Sequence, residues 1–144
     1  MIRQAQRGDL PAITGLASRL WPDATVPELE DSFSSLLSHS DAAVFLAFSN
    51  SQPVGFAQCQ LRHDYVEGTD SSPVGYLEGI YVEELHRRRG FARLLLAACE
   101  VWAQEQGCTE FASDCELDNF DSFHFHLGLG FEEANRIICF TKKL

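Results

Sequence analysis

The feature that most constrains this chain is an unbroken succession, between residues 74 and 106, of an apolar run, an arginine-rich turn and an amphipathic stretch. Val74 to Val82 (Val-Gly-Tyr-Leu-Glu-Gly-Ile-Tyr-Val) has the length and the β-branched and aromatic content of a strand. From Gly90 to Gln106, Leu94, Leu95, Ala98, Val101 and Trp102 recur at helical spacing as the expected buried face, and Gly107 stops the helix. Between them lies His86-Arg87-Arg88-Arg89-Gly90-Phe91-Ala92. A helix N-terminus offers unpaired N–H groups, Gly90 lets the backbone approach an anion, and the arginines add charge, so a diphosphate would sit well there. Taken alone, the same run is also what a solvated turn looks like.

The flanking segments give the rest of the architecture. Ile2 to Ala5 reads as a short strand. Asp9 is placed to cap a helix carrying Leu10, Ile13, Leu16, Ala17 and Leu20, which Trp21-Pro22 ends. After Pro27 a second stripe of Leu29, Phe33, Leu36 and Leu37 predicts another helix. Ala42 to Phe48 and the alternating segment from Val54 to Leu61 predict a hairpin that turns near Asn50 to Gln52. His63 to Pro73 is a polar loop, Glu110 to Ser113 a short strand and Asn119 to Leu127 a helix. Gly130-Phe131 is expected to open a final pair of short strands ending in Ile137 to Thr141. Hairpins at one end and a strand-helix-strand crossover at the other imply a single α/β (mixed α+β) domain over residues 1–144, in three layers around a mixed sheet.

Composition narrows the function classes. The chain holds 11 Lys+Arg against 21 Asp+Glu, a formal net charge of -10, which disfavours nucleic-acid partners. Five cysteines without a CxxC pair are expected to be reduced core thiols, with no metal site. No signal region opens the chain and no apolar run approaches the length of about 18 residues that a membrane span needs, so a cytoplasmic protein is expected.

Arg87, Gly90 and Ala92, placed directly after the strand Tyr76 to Val82, fit the [Q/R]-x-x-G-x-[G/A] pattern of the GNAT acetyltransferases. A second family pattern, Asn-x-x-[Ala/Ser]-x-x-x-Tyr-x-x-x-Gly-Phe, matches Asn119, Ser122, Gly130 and Phe131, with His126 where Tyr is usual. The resemblance implies a GNAT-like fold with a mostly antiparallel sheet flanked by helices, and acetyl-CoA as cosubstrate. It further implies that Arg87, Arg88, Arg89, Gly90, Phe91 and Ala92 hold the pyrophosphate. Backbone groups of Ile80, Tyr81 and Val82 would pair with the pantetheine arm, and Asn119 would contact it. His126 would stand where the family protonates the departing thiolate, although a histidine on a partly apolar helix also serves as a packing residue.

The stretch Asp64 to Val82, with Glu100-Val-Trp-Ala103, Cys108 to Asp114, Leu117-Asp-Asn119 and Phe140-Thr-Lys-Lys143, resembles the aminoglycoside 6'-N-acetyltransferases through nearly the whole chain. A primary amine is mostly an ammonium at neutral pH and must lose a proton before it attacks, so carboxylates are expected beside the cofactor. The resemblance implies Asp114 and Glu78 in that catalytic role. It also implies an aminoglycoside cleft lined by Trp21, Tyr65, Glu78 and Asp114, with Asn135 as a further contact at a position where relatives carry an acid. Direct attack in a ternary complex, antibiotic resistance and a homodimer follow from the same resemblance. Acetyl transfer to another amine (a polyamine, a metabolite or a protein N-terminus) and a non-catalytic acyl-CoA-binding module are the alternatives.

Overall fold

Alternation along the central strands buries both faces of one sheet. The computed structural model describes residues 1–144. Strands β1 (Ile2–Gln4), β2 (Ala42–Ser49), β3 (Gln52–Arg62), β4 (Val74–Val82) and β5 (Phe111–Ala112) form a five-stranded sheet in the order β1-β2-β3-β4-β5. The pairs through β4 are antiparallel and β4–β5 is parallel, the mixed and mostly antiparallel sheet expected from the sequence. On β2, Val44 and Leu46 face helices α1 (Leu10–Leu20) and α2 (Val26–Leu37), packing with Ile13, Leu16, Phe33 and Phe56. Ala43, Phe45 and Ala47 face helix α3 (Phe91–Glu105) and its Leu95, Leu96, Cys99, Trp102 and Ala103. With both faces covered, the strand reads as a continuous apolar run.

Local signals account for most of the element ends. Helix α2 begins with a capping box: Thr25 Oγ1 accepts from the Glu28 N–H at 3.3 Å, and the Glu28 carboxylate accepts from the Thr25 N–H at 2.9 Å. Asp9 does not cap α1 with its side chain. Its carboxylate instead accepts from Arg3 at 2.7 and 2.8 Å and from the Gln6 N–H at 2.8 Å, tying β1 to the short 3-10 turn that precedes α1.

Three further expectations change. The buried face of α3 is rotated from the expected one, leaving Leu94 and Val101 about half exposed, at 53% and 51%. The run Leu94-Leu-Leu-Ala-Ala-Cys99 is apolar nearly all round, so periodicity does not set its phase. The final strands do not form: residues 132–144 carry no regular structure, and Ile137, Ile138 and Phe140 are exposed. A strand needs a partner edge, and the neighbouring edge strand, β5, is two residues long. Cys59, Cys99 and Cys108 are buried as expected, whereas Cys115 and Cys139 are exposed.

One irregularity shapes the site. Gly79 opposes Gln58 and Leu77 opposes Cys59, so Glu78 is an extra residue on β4, a β-bulge. Gly75 meets Ala103 of α3 and Leu77 joins the same core, as do Ile80 and Val82. Gly79 and Tyr81 pack on the α1 side. The inward parity of β4 therefore switches at Glu78. Helix α4 (Phe120–Gly128) follows β5 as the last element and buries no residue fully.

Candidate active site

Strands β4 and β5 pair only at Gly75↔Phe111 and Tyr76↔Ala112, after which they separate into a fork. Beyond it, β4 runs on to Val82 with no strand on that edge, so those backbone polar groups between Ile80 and Val82 that do not pair with β3 line the opening. Ser113 marks the crotch, its hydroxyl 3.4 Å from the Leu77 carbonyl. Asp114 follows at once on the exposed side.

The two carboxylates singled out in the sequence lie at the ends of one side-chain network. The buried Tyr76 donates its hydroxyl to Asp114. Burial first, and the bond to Asp114 next, push the Tyr76 phenol far above its ordinary pKa, so it remains a donor. Arg62, the last residue of β3, lays its guanidinium 3.4 Å from the centre of the Tyr76 ring. The same guanidinium grips Glu78: Nε and Nη2 donate to Oε1 at 3.0 and 2.9 Å, and Nη2 to Oε2 at 3.1 Å. The order is thus Glu78, Arg62, Tyr76, Asp114, two negative groups joined through one positive one.

At the far end of β4 the chain coils into the arginine loop. Arg87 Nε donates to the Val82 carbonyl at 2.8 Å, fastening the loop to the strand end, and its guanidinium lies over Tyr81. Arg88 (φ 61) and Gly90 (φ 86) are both left-handed, and Gly90 is the N-cap of α3 with open space where a side chain would be. Arg88 and Arg89 are exposed. Free N–H groups at the start of a fifteen-residue helix, a bare glycine and exposed guanidiniums suit a pyrophosphate. Phe91 packs beside His86 at the start of the helix, and Ala92 is half-buried.

His126 of α4 reaches back to the fork. Its Nδ1 is 2.7 Å from the Ser122 carbonyl and its Nε2 is 2.7 Å from the Ser113 hydroxyl. Asn119 caps α4 by accepting from the Ser122 N–H at 3.1 Å. Trp21 is half-buried against Phe33 and Phe56, and a Cβ at Gly79 would lie 2.7 Å from its ring. It therefore sits on the residue after Glu78. Tyr65 is 77% exposed in the loop before β4. Asn135 lies apart, donating to Glu67 at 2.9 Å where the C-terminal segment crosses that loop.

The structure thus gathers Glu78, Asp114 and His126 around the fork, with Trp21 beside Glu78, and leaves Tyr65 and Asn135 on the loop side. Sequence reasoning missed Arg62, Tyr76 and Ser113. Tyr76 precedes Glu78 by two residues and Arg62 opposes Val74 in the hairpin, so register alone brings them together once the strands are aligned. No group of three or more His, Cys, Asp or Glu side chains is placed to hold a metal ion. No helix is long and apolar enough to cross a membrane.

Residues 10–131 match the acetyltransferase (GNAT) family. The chain is 45% identical over 144 residues to an aminoglycoside N(6')-acetyltransferase type 1 of Stenotrophomonas maltophilia, covering 99% of this chain and 93% of that one. It is 41% identical over 143 residues to the enzyme of that name from Acinetobacter haemolyticus, covering 99% and 98%. Its fold superposes with a TM-score of 0.96 on AAC(6')-Iy in complex with the bisubstrate analog CoA-S-monomethyl-acetylneamine, at 40% identity and covering 100% of this chain and 98% of that one. With its forked sheet and arginine loop, the chain belongs to the GNAT acetyltransferases and, within them, to the aminoglycoside 6'-N-acetyltransferases.

Proposed function

We propose that the chain transfers the acetyl group of acetyl-CoA to the 6'-amino group of aminoglycosides by direct attack in a ternary complex, and so confers resistance. The observation that supports this reading is the network Glu78–Arg62–Tyr76–Asp114 beside the point where β4 and β5 part, on the strand whose far end is fastened to the arginine loop. Acetyl-CoA supplies the activated acyl group. Arg87, Arg88, Arg89 and the N–H groups from Gly90 to Ala92 hold its pyrophosphate. The free edge of Ile80, Tyr81 and Val82 takes its extended arm, with Asn119 alongside. A backbone N–H preset on that edge stabilises negative charge on the reacting oxygen without reorganising.

On the substrate side, Asp114 pairs with the ammonium and accepts a proton from the attacking amine, directly or through water. Tyr76 keeps its own proton and holds that carboxylate in place. Glu78 binds a second positive group. Trp21 and Tyr65 offer faces on which sugar rings stack, and Asn135 is a further contact for the drug. His126 in its imidazolium form gives the Nε2 proton to the Ser113 oxygen as the serine passes its own hydroxyl proton to the departing thiolate, which leaves the ring neutral with its remaining hydrogen on Nδ1.

The enzyme works in the cytoplasm, where its cosubstrate is made, and as a homodimer. Support for the dimer comes from the exposed Ile137, Ile138 and Phe140 on a segment without a partner strand in its own chain. A second copy offers the missing edge.

Thiol release from acetyl-CoA with kanamycin, tobramycin and gentamicin tests the reaction. Release with at least one drug, and its loss in Asp114→Ala at unchanged melting temperature, is expected. Turnover of spermidine or of peptides with every drug inert would assign the fold to another amine.

A further inference from the structure

Two carboxylates near the fork are held by uncharged donors. Asp114 accepts from the Tyr76 hydroxyl, and Glu67 accepts from Nδ2 of Asn135 at 2.9 Å. The backbone turns that amide, because its Oδ1 accepts from the Arg136 N–H at 2.8 Å and leaves Nδ2 to donate. Glu67 forms no ion pair with a basic side chain of its own chain, whereas Glu78 is matched by Arg62. A carboxylate fixed by an uncharged donor keeps its negative charge and a free oxygen for a ligand.

The surrounding chain holds Glu67 in place. Val66 is buried with Val74 and against Tyr76, the residue that bonds Asp114. The Thr69 N–H and hydroxyl both donate to the Val66 carbonyl, at 3.1 and 2.7 Å, and close the turn around Glu67. Gly68 has φ 81, and a Cβ there would stand 2.5 Å from that of Ala134, so this glycine lets the C-terminal segment lie against the turn. The rest of the loop is tied to Glu110, which accepts from the Asp70 N–H at 2.9 Å and from the Ser71 hydroxyl. Glu67 is thus exposed one residue from the side chain that packs on Tyr76.

We propose that Glu67 is a further substrate-binding carboxylate, taking an ammonium group of the aminoglycoside remote from the reacting amine, and that Asn135 is its positioning residue. The proposal rests on the aminoglycoside reading above. Asp114 takes the reacting amine, and an anion already fixed a loop away takes another group without the ordering cost that a free side chain would meet. Asn135 acts on the drug mainly by fixing that carboxylate.

The test is calorimetric binding of tobramycin to the CoA-loaded full chain, as wild type, as Glu67→Gln, as Asn135→Ala, as both together, and as the exchange of Glu67→Gln with Asn135→Asp. Glu67→Gln keeps an oxygen that accepts from Asn135, so a purely structural tie survives it while the charge is lost. Tobramycin should bind it about threefold more weakly, the factor that one exposed charge pair supplies, and with a shallower dependence on salt. Glu105→Gln removes the same charge at the end of α3, beside Gln4 and Phe45 at the other side of the sheet, and measures the effect of overall charge alone. Asn135→Ala should weaken binding by less, and should add no further loss to Glu67→Gln. The exchange, which moves the charge to the other partner of the same bond, should recover most of the loss. Affinity for CoA should hold throughout. A Glu67→Gln chain that binds tobramycin no more weakly than Glu105→Gln overturns the proposal and leaves Glu67 as a tie between the loop and the C-terminal segment. Losses that add in the double variant, or an exchange no better than Glu67→Gln alone, overturn the positioning role of Asn135. A wild-type chain that binds no aminoglycoside sinks the substrate reading and the proposal with it, whereas a wild type that binds beside an unaffected Glu67→Gln sinks the proposal alone.

Discussion

The Ser113 hydroxyl and Nε2 of His126 lie 2.7 Å apart at the crotch of the β4–β5 fork. A carbonyl oxygen only accepts, so the 2.7 Å contact of Nδ1 with the Ser122 carbonyl puts the hydrogen of the neutral ring on Nδ1. Nε2 is then the acceptor, and Ser113 donates to it. On the proposed reaction, a proton exchanged with Nε2 passes through the serine hydroxyl, so His126 would act through Ser113.

From that geometry, Ser113→Ala and His126→Asn are each expected to lower kcat by about a hundredfold or more, the lower end for losing acid–base assistance, with a smaller effect on KM for acetyl-CoA. The double variant should lose little more than either single one, because the two act as a unit. Steady-state rates across the neutral pH range check this. Additive losses would separate the two residues.

Asp9 predicts the acid behaviour of the fold. Its pairing with Arg3, chiefly through hydrogen bonds, lowers its pKa from 3.8 to about 2. The folded state binds this proton more weakly than the unfolded chain, so the stabilisation is complete above about pH 4 and is lost as pH falls through about 2. Urea midpoints of wild type and Asp9→Asn should differ at neutral pH and converge across that window. A difference that persists at the acid end would contradict the assignment.

Trp21 and Tyr65 should part company in mutagenesis although both are expected to line the drug cleft. Trp21 packs on Phe33, Phe56 and Gly79, so Trp21→Ala should cost about 2–4 kcal/mol of stability. Tyr65, 77% exposed, should change stability by less than about 0.5 kcal/mol as Tyr65→Ala while raising KM for the aminoglycoside. Urea denaturation with drug kinetics on the same variants separates a core role from a binding one.

The C-terminal segment bears on assembly. Full-length chain should be a dimer by light scattering, and a chain ending at Arg136, without the exposed Ile137, Ile138 and Phe140, should be a monomer that keeps its secondary structure. A dimer that survives the truncation would place the interface elsewhere.

Much of this was legible in the sequence because the signals are local. The strand ending at Val82, the left-handed Gly90 and the amphipathic helix after it are adjacent in the chain, and each announces itself by residue type. Asp114 and Glu78 could be named from the chemistry of amine acylation together with the family resemblance. Arg62, Tyr76 and Ser113 escaped because their roles depend on register across strands, and the bulge at Glu78 that aligns them leaves no mark in composition. The phase of α3 escaped because Leu94 to Cys99 is apolar on every side. The expected last strands failed for another reason: Ile137 to Thr141 has strand composition, but the neighbouring edge strand, β5, is only two residues long.

The central claim is acetyl transfer to one defined nitrogen, and mapping the product of a tobramycin reaction by NMR tests it most directly. The account predicts one acetyl group, on the 6'-nitrogen, formed with stoichiometric release of coenzyme A thiol and abolished in Asp114→Ala. Acetylation at a different amine, or thiol release with no acetylated drug, would contradict it.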